Sequence, residues 1–285
     1  MFLFKYNNQE LCYSDFLTGL KNIGANECKT LFIHSDIFFG QINPTIKRQD
    51  FINNILQLFD DLNVENIIMP VFSYSFINQK DFNVKESRSL MGTLSENFRK
   101  RKGVYRTEDP LCSFAIQGKL SEKFRKYKPE NNSLGIGSYF NLLDKEEDVK
   151  YLFFGADLAE HFTYVHYIEC ILNVPYRFNM VFNGNIIDYD GNTYNTDWII
   201  NTQCGGVKLY KRNDHYKQYL IENSKLKYNV LGEKEISCIS QKDARETIIE
   251  NIKKNKYYFL ERPYTEKDLT HEYVMWQEGK AVTHC

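Results

Sequence analysis

The first half of the chain alternates short apolar runs with amphipathic stretches, and that order limits the fold more than any other feature. KTLFIHSD at 29–36, VENIIMPVFSYS at 64–75 and DVKYLFFGAD at 148–157 are rich in β-formers and apolar almost throughout, as strands buried on both faces are. SDFLTGLKNIG, with Ser14 as cap and Gly24 as stop, reads as a helix. So does RQDFINNILQLFDDL, where Phe51, Ile55, Leu58 and Leu62 recur at helical spacing. Strand–helix–strand order at these separations predicts an α/β fold, a mixed central sheet flanked by helices.

Beyond residue 178 the signals become β-rich. FNMVFNGNIIDYDGNTY carries Asn183-Gly184 and Asp190-Gly191, both hairpin-turn pairs, and YNVLGEKEISCIS reads as another hairpin. QKDARETIIENIKK follows as a helix, and YYFLERPY as a return strand. No repeat, low-complexity tract or linker divides the chain. The expectation is one domain over 1–285, with an α/β part at 1–177 and a β-hairpin-rich section at 178–285.

Composition narrows the function. A net charge of −1 gives no whole-molecule attraction to nucleic acid or membranes. Seven scattered cysteines without a CxxC pair fit reduced thiols better than a disulfide framework or a zinc site. With no apolar run near the ~20 residues of a membrane span and no signal-peptide pattern at the start, a cytoplasmic protein is expected. The 20 tyrosines and 21 phenylalanines suit packing in strands and half-wet clefts.

Chemistry-bearing residues gather in a few stretches. FTYVHYIEC places His166 and Glu169 three apart, side by side on a helix face. The pair reads either as a general base with its orienting carboxylate or as two polar surface residues. Cys170 follows His166 by four residues and offers a Cys–His alternative, while Cys204 has no local base. His161, His166, Glu169 and Cys170 match no zinc spacing, so no metal is expected. Gly135 and Gly137 precede a helix starting at Ser138 and permit close approach of an anion. Thr93 and Glu96 have capping-box spacing, and the basic run 99–102 is either a solvated helix end or a phosphate grip. His34, Ser35 and Asp36 end a strand, where α/β sheets hold ligands.

Taken in order, IHSD (33–36), IMPVFSYS (68–75), LMGTLSENFRKRKGVYRTEDPLCSFAIQGK (90–119), GIGSYFNLL (135–143) and LFFGADLAEHFTYVHYIECILNVPYR (152–177) resemble the aminoglycoside 3-N-acetyltransferase family. The resemblance implies acyl transfer from an acyl-coenzyme A to a sugar amine on a mixed α/β fold. Its T-x-x-H-x-x-E motif falls on Thr163, His166 and Glu169, implying His166 as base and Glu169 as its partner. It also implies Thr163 and Ser35 for the oxyanion and acyl group. His34, Ser35, Ser73, Arg106, Ser113, Gly135 and Gly137 are implied for coenzyme A, and Asp36, Glu96, Arg99 and Asp157 for the acceptor. Arg99, Arg101 and Arg106 are candidates for anionic groups of either ligand. Where the family has histidine before proline, this chain has Asp109-Pro110. That departure and the near-neutral charge point to an amino sugar other than an aminoglycoside, in particular a nucleotide-linked deoxyamino sugar. An aminoglycoside acceptor, and a non-catalytic binder of coenzyme A or a sugar nucleotide, are the competing readings.

Overall fold

The computed structural model describes residues 2–207, 214–277 and 280–284. Its centre is a mixed seven-stranded sheet. Thr30–Ser35 lies between Asn66–Pro70 and Val149–Phe154 and runs parallel to both. Phe114–Gly118 adds antiparallel beyond Asn66–Pro70, followed at the edge by Tyr105–Arg106. On the other side the hairpin Lys227–Leu231/Lys234–Ser240 pairs antiparallel with Val149–Phe154. The central sheet thus draws strands from both sides of the boundary expected near 177.

Side chains alternate between two cores with the period of a strand. Phe32, Ile68, Phe114, Ile116, Tyr151 and Phe153 face one core, and Leu31, Ile33, Ile67, Met69, Leu152 and Phe154 face the other. Helices Tyr13–Asn22 and Arg48–Asp60 bury Phe16, Leu20, Phe51, Ile55 and Leu58 in the second core. The first core is densely aromatic. Phe32 meets Phe114 edge-on at 5.2 Å, and Phe114 meets Phe140 at 4.7 Å, geometries that add ~0.5–1.5 kcal/mol each beyond area burial. Most of the aromatic surplus is packing.

Several local expectations are corrected. The first helix is capped by Cys12, whose N–H donates to Asp15 at 2.7 Å, and not by Ser14. Gly92, with φ 93°, caps the helix Thr93–Phe98, so Glu96 is free to accept from the Ser89 N–H instead of closing a capping box. Residues 256–259 form a turn, and no strand runs through 257–264. The largest difference is at Asn183-Gly184. This pair lies inside the long strand Arg177–Ile187, opposite Asp197 and Thr196 of Thr193–Gln203, and the hairpin turns at Asp188–Asn192 around Asp190-Gly191. Gly184 is there because the Phe76 ring lies where a Cβ would go, 2.6 Å from that position. Both pairs carry the turn signal, and tertiary packing selects one.

Six of the seven cysteines are unpaired, and Cys285 lies outside the described residues. Among the described residues no helix is long and apolar enough to cross a membrane.

Gly184→Ala overpacks the Phe76 contact and should lower stability by about 1–3 kcal/mol. Urea denaturation checks this, and an unchanged midpoint with an unchanged slope refutes it.

Candidate active site

The three parallel strands all end on the same side of the sheet. Gly155, at φ 70°, makes this edge tight, since the Asp36 carbonyl lies 2.1 Å from where its Cβ would stand. A cleft of about 450 Å³ opens there, with His34, Ser35 and Asp36 from one strand end, Pro70 from the next and Ala156 and His161 from the third. Phe38 and Leu90 present apolar surface to it, 67% and 56% exposed. His34 is buried and stacked on Phe153 at 5.2 Å, with no hydrogen-bond partner for its Nε2 among the described residues. Burial, then the neighbouring His161, push its pKa down to about 3, so the ring is neutral. Asp36 is tied to Lys234 at 3.0 Å, and Asp157 caps the short helix Leu158–His161 by accepting from the Ala159 N–H.

The helix Thr163–Ile171 continues from this edge, and Thr163 is its first residue. Its buried side is fixed by hydroxyls. Tyr164 and Tyr167 both donate to Asp144, which also pairs with Arg245 at 3.2 Å. One turn into the helix, His166 and Glu169 meet, Nδ1 to Oε2 at 2.9 Å. The histidine side chain is 35% exposed, and the glutamate has no exposed surface.

A fully buried carboxylate needs donors, and three surround this one. Besides His166, the Tyr176 hydroxyl donates to Oε1 at 2.6 Å and Arg177 Nε to Oε2 at 2.7 Å. Burial pushes the Glu169 pKa up, but the Arg177 guanidinium, the imidazole and the tyrosine hydroxyl outweigh it and hold it down to about 2. Arg177 Nη2 also lies 2.5 Å from His166 Nδ1. Burial and this guanidinium lower the histidine pKa below its ordinary value, against the pull of Glu169. Tyr176 and Arg177 come from the start of the long hairpin. Their only sequence signal is their position just after the helix, beside a histidine–glutamate pair that needs neutralising.

The remaining predicted residues are dispersed. Gly135 lines a separate cavity, and Gly137 adopts φ 84° ahead of the Ser138 cap. Ser73 donates to the Pro110 carbonyl inside the protein. Arg106, 2% exposed, is spent on Ser113 Oγ at 3.0 Å and on the Val71 and Ser87 carbonyls, over the face of Phe82. Arg99 pairs with Glu96 at 2.7 Å, and Arg101 pairs with Asp60. None of Ser73, Glu96, Arg99, Arg106 and Ser113 lines the cleft at the strand ends. Among the described residues no group of three His, Cys, Asp or Glu side chains gathers as metal ligands would.

No curated protein matches the chain. Among solved structures, YokD protein from Bacillus subtilis matches with a TM-score of 0.68 at 19% identity, over 86% of this chain and 94% of that one. AAC-IIIb, solved as a binary complex with CoASH, matches at 0.68 and 14% identity, over 89% and 98%. Aminoglycoside acetyltransferase AAC(3)-IVa, as a mutant in complex with a gentamicin, matches at 0.69 and 18% identity, over 92% and 93%. At these identities the likeness establishes the fold. The family described as Aminoglycoside 3-N-acetyltransferase matches in sequence over residues 56–253, well over half of the chain, and the chain belongs to that family.

Proposed function

We propose that the protein transfers an acyl group from acyl-coenzyme A to the amine of an amino sugar, with His166 as general base. One observation carries this reading. In a chain of an acetyltransferase family, a partly exposed imidazole is fixed at its Nδ1 by a carboxylate that is itself wholly buried and triply bonded. With Nδ1–H donating to Glu169, the lone pair of Nε2 is left for a substrate. Arg177 disfavours a second positive charge on the ring, so the imidazole is neutral and ready at ordinary pH.

In this mechanism the amine nitrogen attacks the thioester carbonyl carbon while His166 Nε2 takes an amine proton. Collapse of the tetrahedral intermediate breaks the carbon–sulfur bond, and the departing thiolate takes the proton back from the imidazolium. Ser35 at the strand end and the Thr163 hydroxyl at the helix start are the oxyanion donors assigned here. Burial raises the Cys170 thiol, which supports direct attack over a covalent cysteine adduct.

The cleft at the strand ends is assigned to the acyl-coenzyme A, with Phe38 and Leu90 as apolar walls and His34 and Ser35 as polar contacts. AAC-IIIb, of the same fold, was solved with CoASH. Arg106, Ser73 and Ser113 support that region from inside, and Asp36 and Asp157 flank it. For the acceptor, the net charge of −1 favours a nucleotide-linked deoxyamino sugar over a polycationic drug. An acceptor screen against gentamicin decides between them.

Three outcomes are expected. His166→Ala should lower kcat by ~10²–10⁴-fold with the fold intact by circular dichroism, and near-normal turnover removes the base. The base works only when neutral, so kcat/KM should fall on the acid side through a pKa below 6.5. Arg177→Gln removes the guanidinium and should move that limb to higher pH, and a limb unmoved or shifted down contradicts the electrostatics. Leu90→Asp should raise the acetyl-coenzyme A KM by about tenfold with kcat nearly unchanged, from the loss of apolar contact.

A further inference from the structure

A second, smaller cavity of about 240 Å³ is lined in part by Cys170, on the helix that carries His166. It is formed where the loop around Gly135 and Ile136 meets the long hairpin and the helix carrying His166. Asn132 shapes that loop, accepting from the Gly135 N–H at 2.6 Å and donating to the Ile136 carbonyl at 2.8 Å. Asn179 and Asn201 face each other across the hairpin, and Ile199 stands next to them on the same face.

Two links tie this cavity to the proposed base. Cys170 lines it and lies four residues after His166, one turn along the same helix face. Arg177, which holds Glu169, donates from Nη1 to the Asn201 carbonyl at 3.1 Å. The Asn201 side chain donates to Asn179 Oδ1 at 2.8 Å, while its own Oδ1 is buried with no hydrogen-bond partner among the described residues. A buried acceptor without a donor is unfavourable by ~1–3 kcal/mol, a cost that a ligand hydroxyl would relieve.

None of the described residues lining the cavity is charged, and burial keeps the Cys170 thiol protonated. No cation is there for a phosphate and no carboxylate for a polyammonium ligand. What remains are carboxamides, which both donate and accept, beside an apolar wall of Ile199 and the exposed Ile136. From this juxtaposition we infer that the cavity is the acceptor subsite and holds a single polyhydroxylated amino-sugar ring, without phosphate or a second ammonium group in contact with its lining. Asn179 and Asn201 read its hydroxyls, Ile136 and Ile199 pack on its C–H face, and its amine is directed toward His166. This rests on the acyl-transfer reading and adds to it the side chains that select the ring.

The test is acetyl transfer, read as thiol release from acetyl-coenzyme A, with glucosamine, UDP-glucosamine and gentamicin as acceptors. Asn179→Ala and Asn201→Ala should each raise the KM of the amino-sugar acceptor about tenfold, the size of one hydrogen bond, and leave the acetyl-coenzyme A KM within about twofold. Asn179→Asp should shift preference toward gentamicin by adding a carboxylate. An acceptor KM unchanged in all three variants, or a rise confined to acetyl-coenzyme A, overturns the subsite while leaving acyl transfer standing. Should the parent protein acetylate none of the three, the acyl-transfer reading fails, and the subsite is decided by glucosamine titration followed through the side-chain amide resonances of Asn179 and Asn201. Saturable shifts of those resonances support it, and resonances that do not move overturn it.

Discussion

The buried charge of Glu169 organises this part of the molecule. An ionised carboxylate without exposed surface is strongly unfavourable unless neighbouring groups replace water completely. Here the replacements come from two elements distant in character, the imidazole of the same helix and the Tyr176–Arg177 pair that opens the long hairpin. The carboxylate therefore joins helix to hairpin as well as orienting a ring. Removing Arg177 would leave the carboxylate's charge uncompensated, an effect of ~3–5 kcal/mol for a buried pair. Structural and chemical demands on Glu169 are the same demand, and this explains why the imidazole is held so closely while its other nitrogen is left to the outside.

Arg177 makes the arrangement asymmetric. A guanidinium can only donate, so it competes with the imidazole N–H for the same carboxylate oxygen and repels a protonated ring. A histidine beside a lone carboxylate would be pulled toward the charged form and lose its use as a base at neutral pH. With the arginine present, the carboxylate fixes the ring's direction while burial and the guanidinium outweigh its pull on the ring's charge. Orientation and basicity are thereby set by different residues.

Much of this was legible in the sequence where the signal is local. The three parallel strands read as continuous apolar runs because both faces are covered, and the His166–Glu169 contact follows from helical spacing. Arg177 was not legible, since its role depends on how the strand that it opens returns against the helix. Arg106 misled in the opposite direction. The family resemblance made it a candidate for an anionic group of a ligand, yet the chain folds it inward onto backbone carbonyls and the Phe82 ring. The Asn183-Gly184 pair shows the same limit from the backbone side. Its turn propensity is real, but a glycine is equally what a strand needs where Phe76 presses against it.

The departure at Asp109 belongs with these long-range effects. The carboxylate is buried and accepts from the Leu111 and Cys112 N–H groups and from Ser133 Oγ, each at 2.8 Å. Ser133 in turn accepts from Trp198 Nε1 at 2.9 Å, in the strand that carries Ile199 and Asn201. Asp109 thus acts as a brace between the loop that follows it and the wall of the uncharged cavity. A histidine in its place could not accept from three donors at one oxygen, so the 132–136 loop and the hairpin would have to meet differently. In this chain the residue that breaks the family's pattern touches the proposed chemistry only through the shape of the space where the acceptor is assigned. That is where a family sharing one base would be expected to vary when its members act on different amines.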